Sequence, residues 1–144
     1  MAKRNDGKRV KNKVHPLNQD DITSIQNDFF QFMIGNTDYS TTYQHNEKMI
    51  FIEGKNAIPV PYDFDMSGMV DASYAVVSQI PGEEVNITDV KQRLFRGFKR
   101  DDALFEQVRQ QYLSQKDVFL NMIDGYAEDF INQRNFNDTR EYIL

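Results

Sequence analysis

Four acidic or amide side chains in the middle of the chain have the types and spacing of a phosphoryl-transfer site. Asp38 lies in the polar loop GNTDYSTTYQHN, and Asn46 ends this loop eight residues later. Asp63 and Asp65 follow in the stretch VPYDFDMSG. In phosphoryl transfer, a loop aspartate orients the acceptor hydroxyl and takes its proton, while an asparagine and a further acid hold Mg²⁺. Magnesium prefers oxygen ligands of these types.

The same residues also suit interpretations that involve no metal. The short carboxylate of Asp38 can accept hydrogen bonds from nearby backbone N–H groups in an Asx turn or a cap. Asp63 and Asp65 alternate along a predicted strand, so ideal geometry points them to opposite faces and lets only one face a site. His45 is either a hydrogen-bonded loop residue or a base. Nearby tyrosines are expected to pack through their rings with hydroxyls in water: Tyr39, Tyr43 and Tyr62.

A helix and a hairpin are predicted to position these side chains. The stretch NQDDITSIQNDFFQFMIG repeats apolar residues at helical spacing, with Asn18 or Asp20 as the cap and Gly35 as the stop. Two β-rich runs, residues 49–53 and 57–64, surround the turn-forming GKN and predict a β-hairpin. Prolines occur twice in the second run and cannot donate ladder hydrogen bonds. That strand is therefore expected at an edge.

Helices are predicted for the rest of the chain, from about residue 88. Thr88 is the expected cap of a helix over DVKQRLFRGF, and an apolar stripe predicts a long helix over residues 102–132. Gly97 and Gly125 are expected to break or pack these helices. The predicted fold class is therefore α+β, mostly helical, with one domain over residues 18–144 and a small hairpin at about residues 48–64.

Charge is distributed unevenly along the 144 residues. Residues 1–13 hold six Lys or Arg and one acid, so the totals of 17 basic and 22 acidic residues leave 11 and 21 over the rest, a net charge of −10 there. Residues 1–17 are expected to be a basic flexible arm or loop. Such an arm can bind nucleic acid, but no aromatic residue interleaves with its charges, so a solvated arm is favoured over a nucleic-acid contact.

Composition excludes several classes of site and predicts a folded protein. The chain has no cysteine, which rules out disulfides, zinc-thiolate sites and thiol catalysis and fits a reducing, cytoplasmic location. Its 40% hydrophobic content supports a folded core, and no apolar run has the length of a membrane span, so no membrane partner is expected. A basic cluster near residue 96 either meets phosphate or carboxylate groups or forms a solvated helix face: Arg93, Arg96, Lys99 and Arg100.

The motifs FMIGNTDYS, the HN pair, IPVPYDFDMSGMVDASYA and VKQRLFRGF resemble an uncharacterised bacterial family, common in Bacteroidetes, that carries a similar PYDFD-SGLV-A-YA block. That family in turn resembles atypical kinases of the HipA and spore-coat CotH types, which have a GN-D catalytic loop and a YD or WD-D metal motif. The resemblance covers roughly residues 28–100. It implies a helical bundle like a kinase C-terminal lobe and a site that uses Mg²⁺ and ATP.

By this resemblance, Asp38 is the catalytic-loop aspartate. Asn46 binds the metal and the nucleotide, and Asp63 binds the metal with Asp65 as a second ligand or an orienting group. His45 is assigned to cofactor binding beside Asn46, although it has no counterpart in the kinase pattern. Asp38 and Asn46 are eight residues apart rather than the five of usual protein kinases, which requires a differently shaped loop.

A kinase also needs a lobe that covers the nucleotide and brings a lysine to its phosphates. No strand-rich run precedes the first predicted helix, and MAKRNDG looks like an internal segment of longer relatives. We therefore expect a C-terminal-lobe-like fragment, inactive alone, whose partner is a missing N-terminal lobe or a second copy. The alternatives are a non-enzymatic interaction domain that packs through its C-terminal helices, a nucleic-acid binder, and a metal-dependent phosphohydrolase, which would lack further metal ligands.

Overall fold

A small antiparallel sheet and one central helix form the middle of the fold. The structure is a computed structural model that describes residues 2–144, without the side chain of Asn5. The α+β class predicted from the sequence is confirmed. The helices are α1 (Asp21–Ile34), α2 (Asp102–Ser114), α3 (Lys116–Gly125) and α4 (Gln133–Ile143), and the strands are β1 (Lys8–Val10), β2 (Glu47–Phe51) and β3 (Ile58–Pro61). Short 3-10 turns cover Ala2–Asn5, Pro16–Asn18 and Ala127–Asp129.

Helix α1 begins and ends where the sequence indicates. The side chain of Asp20 accepts a hydrogen bond from the backbone N–H of Thr23 at 3.0 Å, which satisfies one of the free donors of the first turn. Gly35 ends the helix with φ of 65°, and its N–H bonds the carbonyl of Phe32. This left-handed residue turns the chain directly into the loop that contains Asp38.

Replacing Gly35 by alanine should lower the free energy of unfolding by about 3 kcal/mol. A left-handed conformation strains an L-residue, and the added Cβ would collide with the Tyr142 hydroxyl from α4. Gly54 is a matched control, because its φ is 78° but no atom lies within 4 Å of an added Cβ. Gly54→Ala should cost only about 1 kcal/mol. Equal losses for the two variants in chemical denaturation would show that the Tyr142 contact is unimportant.

The predicted hairpin is present as β2 and β3. Strand β2 is central, with β1 and β3 antiparallel on its two sides. Pro59 lies opposite Met49, and Pro61 lies opposite Glu47. Strand β3 is at the edge of the sheet, as its prolines require, because a residue without an N–H cannot donate to neighbours on both sides.

The amino-terminal residues differ from the predicted flexible arm. Within the range 1–17, of which residue 1 lies outside the described residues, Lys8–Val10 forms β1 and pairs with β2. The strand was not predicted because its side chains are mostly exposed, so it carries no apolar alternation. Backbone hydrogen bonds to β2 hold this strand in place, and such bonds do not require a recognisable pattern of side chains.

Residues 62–101 contain turns but no α-helix and no strand. The helix predicted with Thr88 as its cap is therefore wrong. Thr88 instead lies in a short turn, where its N–H donates to the side-chain oxygen of Gln92 at 2.7 Å. The apolar and basic residues that follow contact other segments of the chain. Their helix-like spacing therefore reflects these separate contacts and not a helix.

The predicted long helix over residues 102–132 is also wrong. Helix α2 ends at Ser114, and α3 begins at Lys116 after Gln115, whose N–H bonds the carbonyl of Gln111 at 3.2 Å. The break lets the Phe119 ring of α3 pack on the Tyr112 ring of α2, with centroids 5.8 Å apart. Helix α3 ends at Gly125, where the sequence indicated a break.

The core lies mainly around α1 and β2, and the C-terminal helices are poorly covered. Ile25, Met49 and Ile50 are fully buried or nearly so. Helix α2 buries only Val108, while α3 and α4 bury no residue. Large apolar side chains therefore remain exposed along the last third of the chain: Leu113, Val118, Met122, Tyr126, Ile131 and Leu144. Among residues 2–144, none of the helices combines the length and the apolar character that crossing a bilayer requires.

Candidate functional site

Asp38 and Asn46 contact each other across the polar loop. The side-chain Nδ2 of Asn46 donates to the backbone carbonyl of Asp38 at 2.8 Å and to its carboxylate Oδ2 at 3.1 Å. His45 places Nε2 at 3.4 Å from the other carboxylate oxygen, Oδ1. The backbone N–H of Asp38 donates to the side chain of Asn36, so the Asx turn is made by Asn36 rather than by Asp38. About a quarter of the Asp38 side chain is exposed.

The hairpin brings Asp63 to the same place. Glu47 and Pro61 are paired across the ladder, and just beyond them the N–H of Tyr62 donates to the carbonyl of Asn46 at 3.0 Å. Asn46 and Asp63 therefore flank the same end of the hairpin. The backbones of Asn46 and Asp63 are both in the left-handed conformation, with φ of 51° and 64°. Asn and Asp tolerate this conformation better than most residues.

Asp63 and Asp65 are neighbours rather than residues on opposite faces. Strand β3 ends at Pro61 and Asp63 is left-handed, so the alternation expected of a strand does not apply. The charge of Asp65 raises the pKa of the Asp63 carboxyl, and the charge of Asp38 raises it further. Tyr74, which the sequence did not single out, contacts Asp65, and this hydrogen bond raises the pKa of its phenol. The three aspartates form one region of negative potential.

The site offers oxygen ligands but no complete metal cage. Within the described residues, no group of three or more His, Asp or Glu side chains is close enough together to hold a metal ion. The Nδ2 of Asn46 donates a hydrogen bond to Asp38, so the Oδ1 of Asn46 is the side-chain atom available to a cation. An ion at Asp63 and Asp65 would need its remaining ligands from water or from a bound phosphate, which is the usual situation for Mg²⁺.

The Arg96 side chain fixes the loop on both sides of Asp38. Its NH1 donates to the carbonyls of Thr37 at 2.6 Å and of Tyr39 at 2.7 Å. Its NH2 pairs with Glu83 at 2.9 Å, and the guanidinium lies over the Tyr39 ring. The planar fork of an arginine suits this set of acceptors, since its donors have fixed directions. We call these contacts the Arg96 clamp.

The neighbouring arginines also contact backbone carbonyls. Because residues 93–100 form no helix, the solvated helix face is wrong, whereas the alternative contact with carboxylates is present at Arg96 and Arg100. Arg93 donates to the carbonyls of Met33, at 3.2 Å, and Tyr142. Arg100 is almost completely buried; it pairs with Asp21 and donates to the carbonyl of Pro16. Each arginine thus attaches an otherwise irregular segment to α1 or to a terminus, and this explains how residues 93–100 are ordered without a helix.

Beneath the loop lies a layer of buried polar side chains that the residue pattern does not predict. Glu47 is fully buried and accepts a hydrogen bond from the Asn27 side chain. Asp28, the residue that follows Asn27 in α1, is 8% exposed. Burial, together with the charge of Glu47, raises the pKa of Asp28 to about 7. Burial also raises the pKa of Glu47. Apolar periodicity could not reveal these residues, because they occupy positions of α1 and β2 that usually hold hydrophobic side chains.

A cavity of about 630 Å³ opens beside Asp38. Tyr43, Gln44 and His45 line it from the loop, and Met66 and residues 76–81 line it from the irregular segment. Its size lies within the range that is usual for ligand pockets. The cavity therefore offers space for a substrate next to the carboxylate.

The structure brings the five predicted site residues into one region. Asp38, His45 and Asn46 are in direct contact, and Asp63 lies within electrostatic reach of both Asp38 and Asp65. Arg96, Glu83 and Tyr74 complete the surroundings and were not predicted for this role. Comparison with protein-family profiles, with curated proteins and with solved structures found no match for this chain.

Proposed function

We propose that this chain carries the metal-binding and acceptor side of a Mg-ATP-dependent phosphotransferase site, in a fold like a kinase C-terminal lobe. The contact between the Asn46 amide and the Asp38 carboxylate carries the proposal. It joins the expected base to the expected metal ligand. The hairpin then adds Asp63 and Asp65 to the same side.

Asp38 acts in this proposal as the proton acceptor. Asn46 holds Oδ2 of its carboxylate, Oδ1 lies near His45 and the Ser78 hydroxyl, and Asp38 lines the cavity. An acceptor hydroxyl in the cavity gives its proton to Asp38 while its oxygen bonds the γ-phosphorus of ATP. The bond from that phosphorus to the bridging oxygen breaks, and ADP leaves. The Arg96 clamp keeps the carboxylate in place, which is the kind of pre-positioning that phosphoryl transfer depends on.

Asp63, Asp65 and the Oδ1 of Asn46 are the atoms suited to magnesium. The negative charge of Asp65 raises the pKa of the Asp63 carboxyl, and a divalent cation bound by the two carboxylates would relieve this repulsion. Magnesium would supply neutralisation of the charge on the transferred phosphoryl group. His45 is the cationic group beside these acids when protonated. The lysine that usually contacts the phosphates is assigned in this proposal to a second component, an N-terminal lobe or another copy of the chain.

A thermal-shift experiment tests the proposal. Millimolar ATP with excess Mg²⁺ should raise the melting temperature by about 2–4 °C, because a ligand that binds only the folded state stabilises it. ATP with EDTA should give a smaller shift, and Asp63→Asn should lose the magnesium-dependent part. Asp138→Asn is the matched control, since Asp138 is an exposed aspartate of α4. No shift at millimolar nucleotide, or an equal shift in Asp63→Asn, would contradict the proposal.

An interaction domain is the second candidate, and the exposed apolar residues of the C-terminal helices favour it. Apolar side chains line a groove of about 340 Å³ that is bounded by Phe29 of α1, Leu113 of α2 and Leu144. A surface of this kind is typical of contacts with another chain or lobe. Sedimentation that becomes heavier with concentration would support self-association through these helices. A monomer at all concentrations would leave a separate lobe as the only partner in the proposal.

A further inference from the structure

The apolar groove of about 340 Å³ is lined by side chains from all four helices. Phe32 comes from α1, Leu113 from α2, Phe119 from α3 and Ile143 from α4. Phe32 and Leu113 are exposed although they are large and apolar. The apolar surface continues beyond the groove to Met122, which lies three positions after Phe119 on α3 and is also exposed. The helices therefore present one shared apolar face that extends past the groove itself.

Every charged side chain that lines this groove is basic, although the chain as a whole has a net charge of −5. The three residues are Arg93, Arg109 and Lys116. Arg93 donates to two carbonyls through Nε and NH2, and Arg109 pairs with Glu106 through the same two nitrogens. Within residues 2–144, NH1 of both arginines forms no hydrogen bond and Lys116 forms no ion pair. Three cationic donors beside the apolar face therefore remain available to anionic groups.

We propose that this groove binds an amphipathic helix of a partner protein, with an apolar stripe flanked by Asp and Glu residues. A helix places apolar side chains at positions i, i+3, i+4 and i+7 on one face, which suits a groove formed between other helices. Acidic residues beside that stripe would meet NH1 of Arg93 and Arg109 and Nζ of Lys116. Such charge complementarity selects the partner and its orientation, while burial of the apolar stripe supplies the affinity.

The same observations weigh against three other occupants. A small apolar anion such as a fatty acid would fill the groove and leave Met122 in water, whereas a helix can cover both. A symmetric pair of this chain would place the groove against itself and bring Arg93, Arg109 and Lys116 of both copies together, which like-charge repulsion opposes. An anionic membrane would contact protruding side chains better than a concave groove, and it would repel the acidic remainder of the chain.

This inference rests on the second candidate function, the interaction domain, and specifies its partner. Nuclear magnetic resonance with the ¹⁵N-labelled full chain tests it. The probe is a synthetic helix of about 18 residues with leucines at helical spacing between glutamates. One control peptide replaces every glutamate by lysine, and another has the same composition in an order that destroys the apolar stripe. The acidic helix should shift the amide resonances of Phe32, Leu113 and Phe119 and bind about tenfold more tightly than either control.

Two pairs of variants make the test specific. Leu113→Asp should weaken binding of the acidic helix about tenfold, because a charge would then face its apolar stripe. Ile131→Asp is the matched control, since Ile131 is exposed but does not line the groove. Lys116→Glu should reduce the preference for the acidic over the basic helix about fivefold, whereas Lys55→Glu in the exposed hairpin turn should leave it unchanged. Unaltered amide resonances of β2 would show that each variant is folded.

Equal binding of the acidic and basic helices, or equal losses in Leu113→Asp and Ile131→Asp, would overturn the proposal. The groove would belong to another occupant if the same amides responded to one of three other probes in place of the acidic helix. These probes are decanoate, vesicles of phosphatidylglycerol and phosphatidylcholine, and a higher concentration of the chain alone. Any of these results would also overturn the proposal.

The outcome can be separated from that of the proposed function. The mixture contains neither metal nor nucleotide, so a failure of the Mg-ATP thermal shift has no bearing on the helix. Self-association in sedimentation without binding of the acidic helix would keep the interaction domain and remove this inference alone.

Discussion

Replacing Arg96 by alanine should lower the free energy of unfolding by about 3 kcal/mol. The substitution leaves the carbonyls of Thr37 and Tyr39 without their donor and the mostly buried carboxylate of Glu83 without its partner. Removing one member of a buried pair costs more than the pair contributes, because the remaining charge stays desolvated. Urea denaturation measures the loss, and the Mg-ATP thermal shift should disappear with it.

Two further substitutions separate the geometry of the clamp from its charge. Arg96→Lys keeps the charge but cannot reach both carbonyls and Glu83 with fixed donors, so it should recover less than half of the stability. Arg109→Ala removes a bidentate arginine that pairs with Glu106 on the exposed face of α2. It should have little effect, because solvent screens that pair. Full recovery by lysine would show that charge alone is needed at position 96.

Replacing Asp28 by asparagine should stabilise the protein at about pH 8 and change its dependence on pH. The folded-state pKa of Asp28 is raised to about 7 from 3.8, so the folded state binds this proton more tightly than the unfolded state. Stability from this group is complete below about pH 4 and falls as the pH rises through 7, by on the order of 4 kcal/mol. Asparagine has no proton to lose and should remove this decline.

The surroundings of Asp28 define the controls. Glu47 on β2 raises the pKa of Asp28 further, while Arg100 lowers it. The pKa of Glu47 is itself raised, so it adds a decline of the same sign that survives in Asp28→Asn. Glu53→Gln changes an exposed acid in the hairpin loop and should leave the wild-type profile unchanged. Urea denaturation between about pH 5 and 8 measures all three proteins, and parallel profiles for Asp28→Asn and wild type would contradict the prediction.

The elements that could be predicted are those whose information is local. Asp20 and Gly35 mark the ends of α1 because capping and left-handed turns depend on one or two residues. The hairpin followed from two β-rich runs around a turn, and its edge position followed from Pro59 and Pro61. Strand β1 and the irregular segment of residues 62–101 could not be predicted, because long-range backbone pairs and arginine contacts order them.

The candidate site could likewise be predicted only where the information is local. Asp38, Asn46 and Asp63 were found because their types and order are typical of phosphoryl transfer, and the hairpin places them together. For Arg96 the sequence left open a contact with a carboxylate or a solvated helix face, since its spacing from Arg93 and Arg100 also fits a helix, and the structure shows the contact, with Glu83. Nothing local distinguishes an exposed arginine from one that bonds carbonyls almost 60 positions away. Asp28 and Glu47 likewise look like ordinary surface acids until the packing is known.

The arginine contacts of residues 93–100 have a consequence for the order of folding. Arg93, Arg96 and Arg100 bond carbonyls that lie between 49 and 84 positions away in the chain. Contacts of such sequence separation require the closure of large loops, which slows their formation. Helix α1 and the hairpin can form early, but the loop around Asp38 is fixed only when this segment docks. The same segment should open first in the native state, so amide protons near Asp38 should exchange sooner than those of the hairpin.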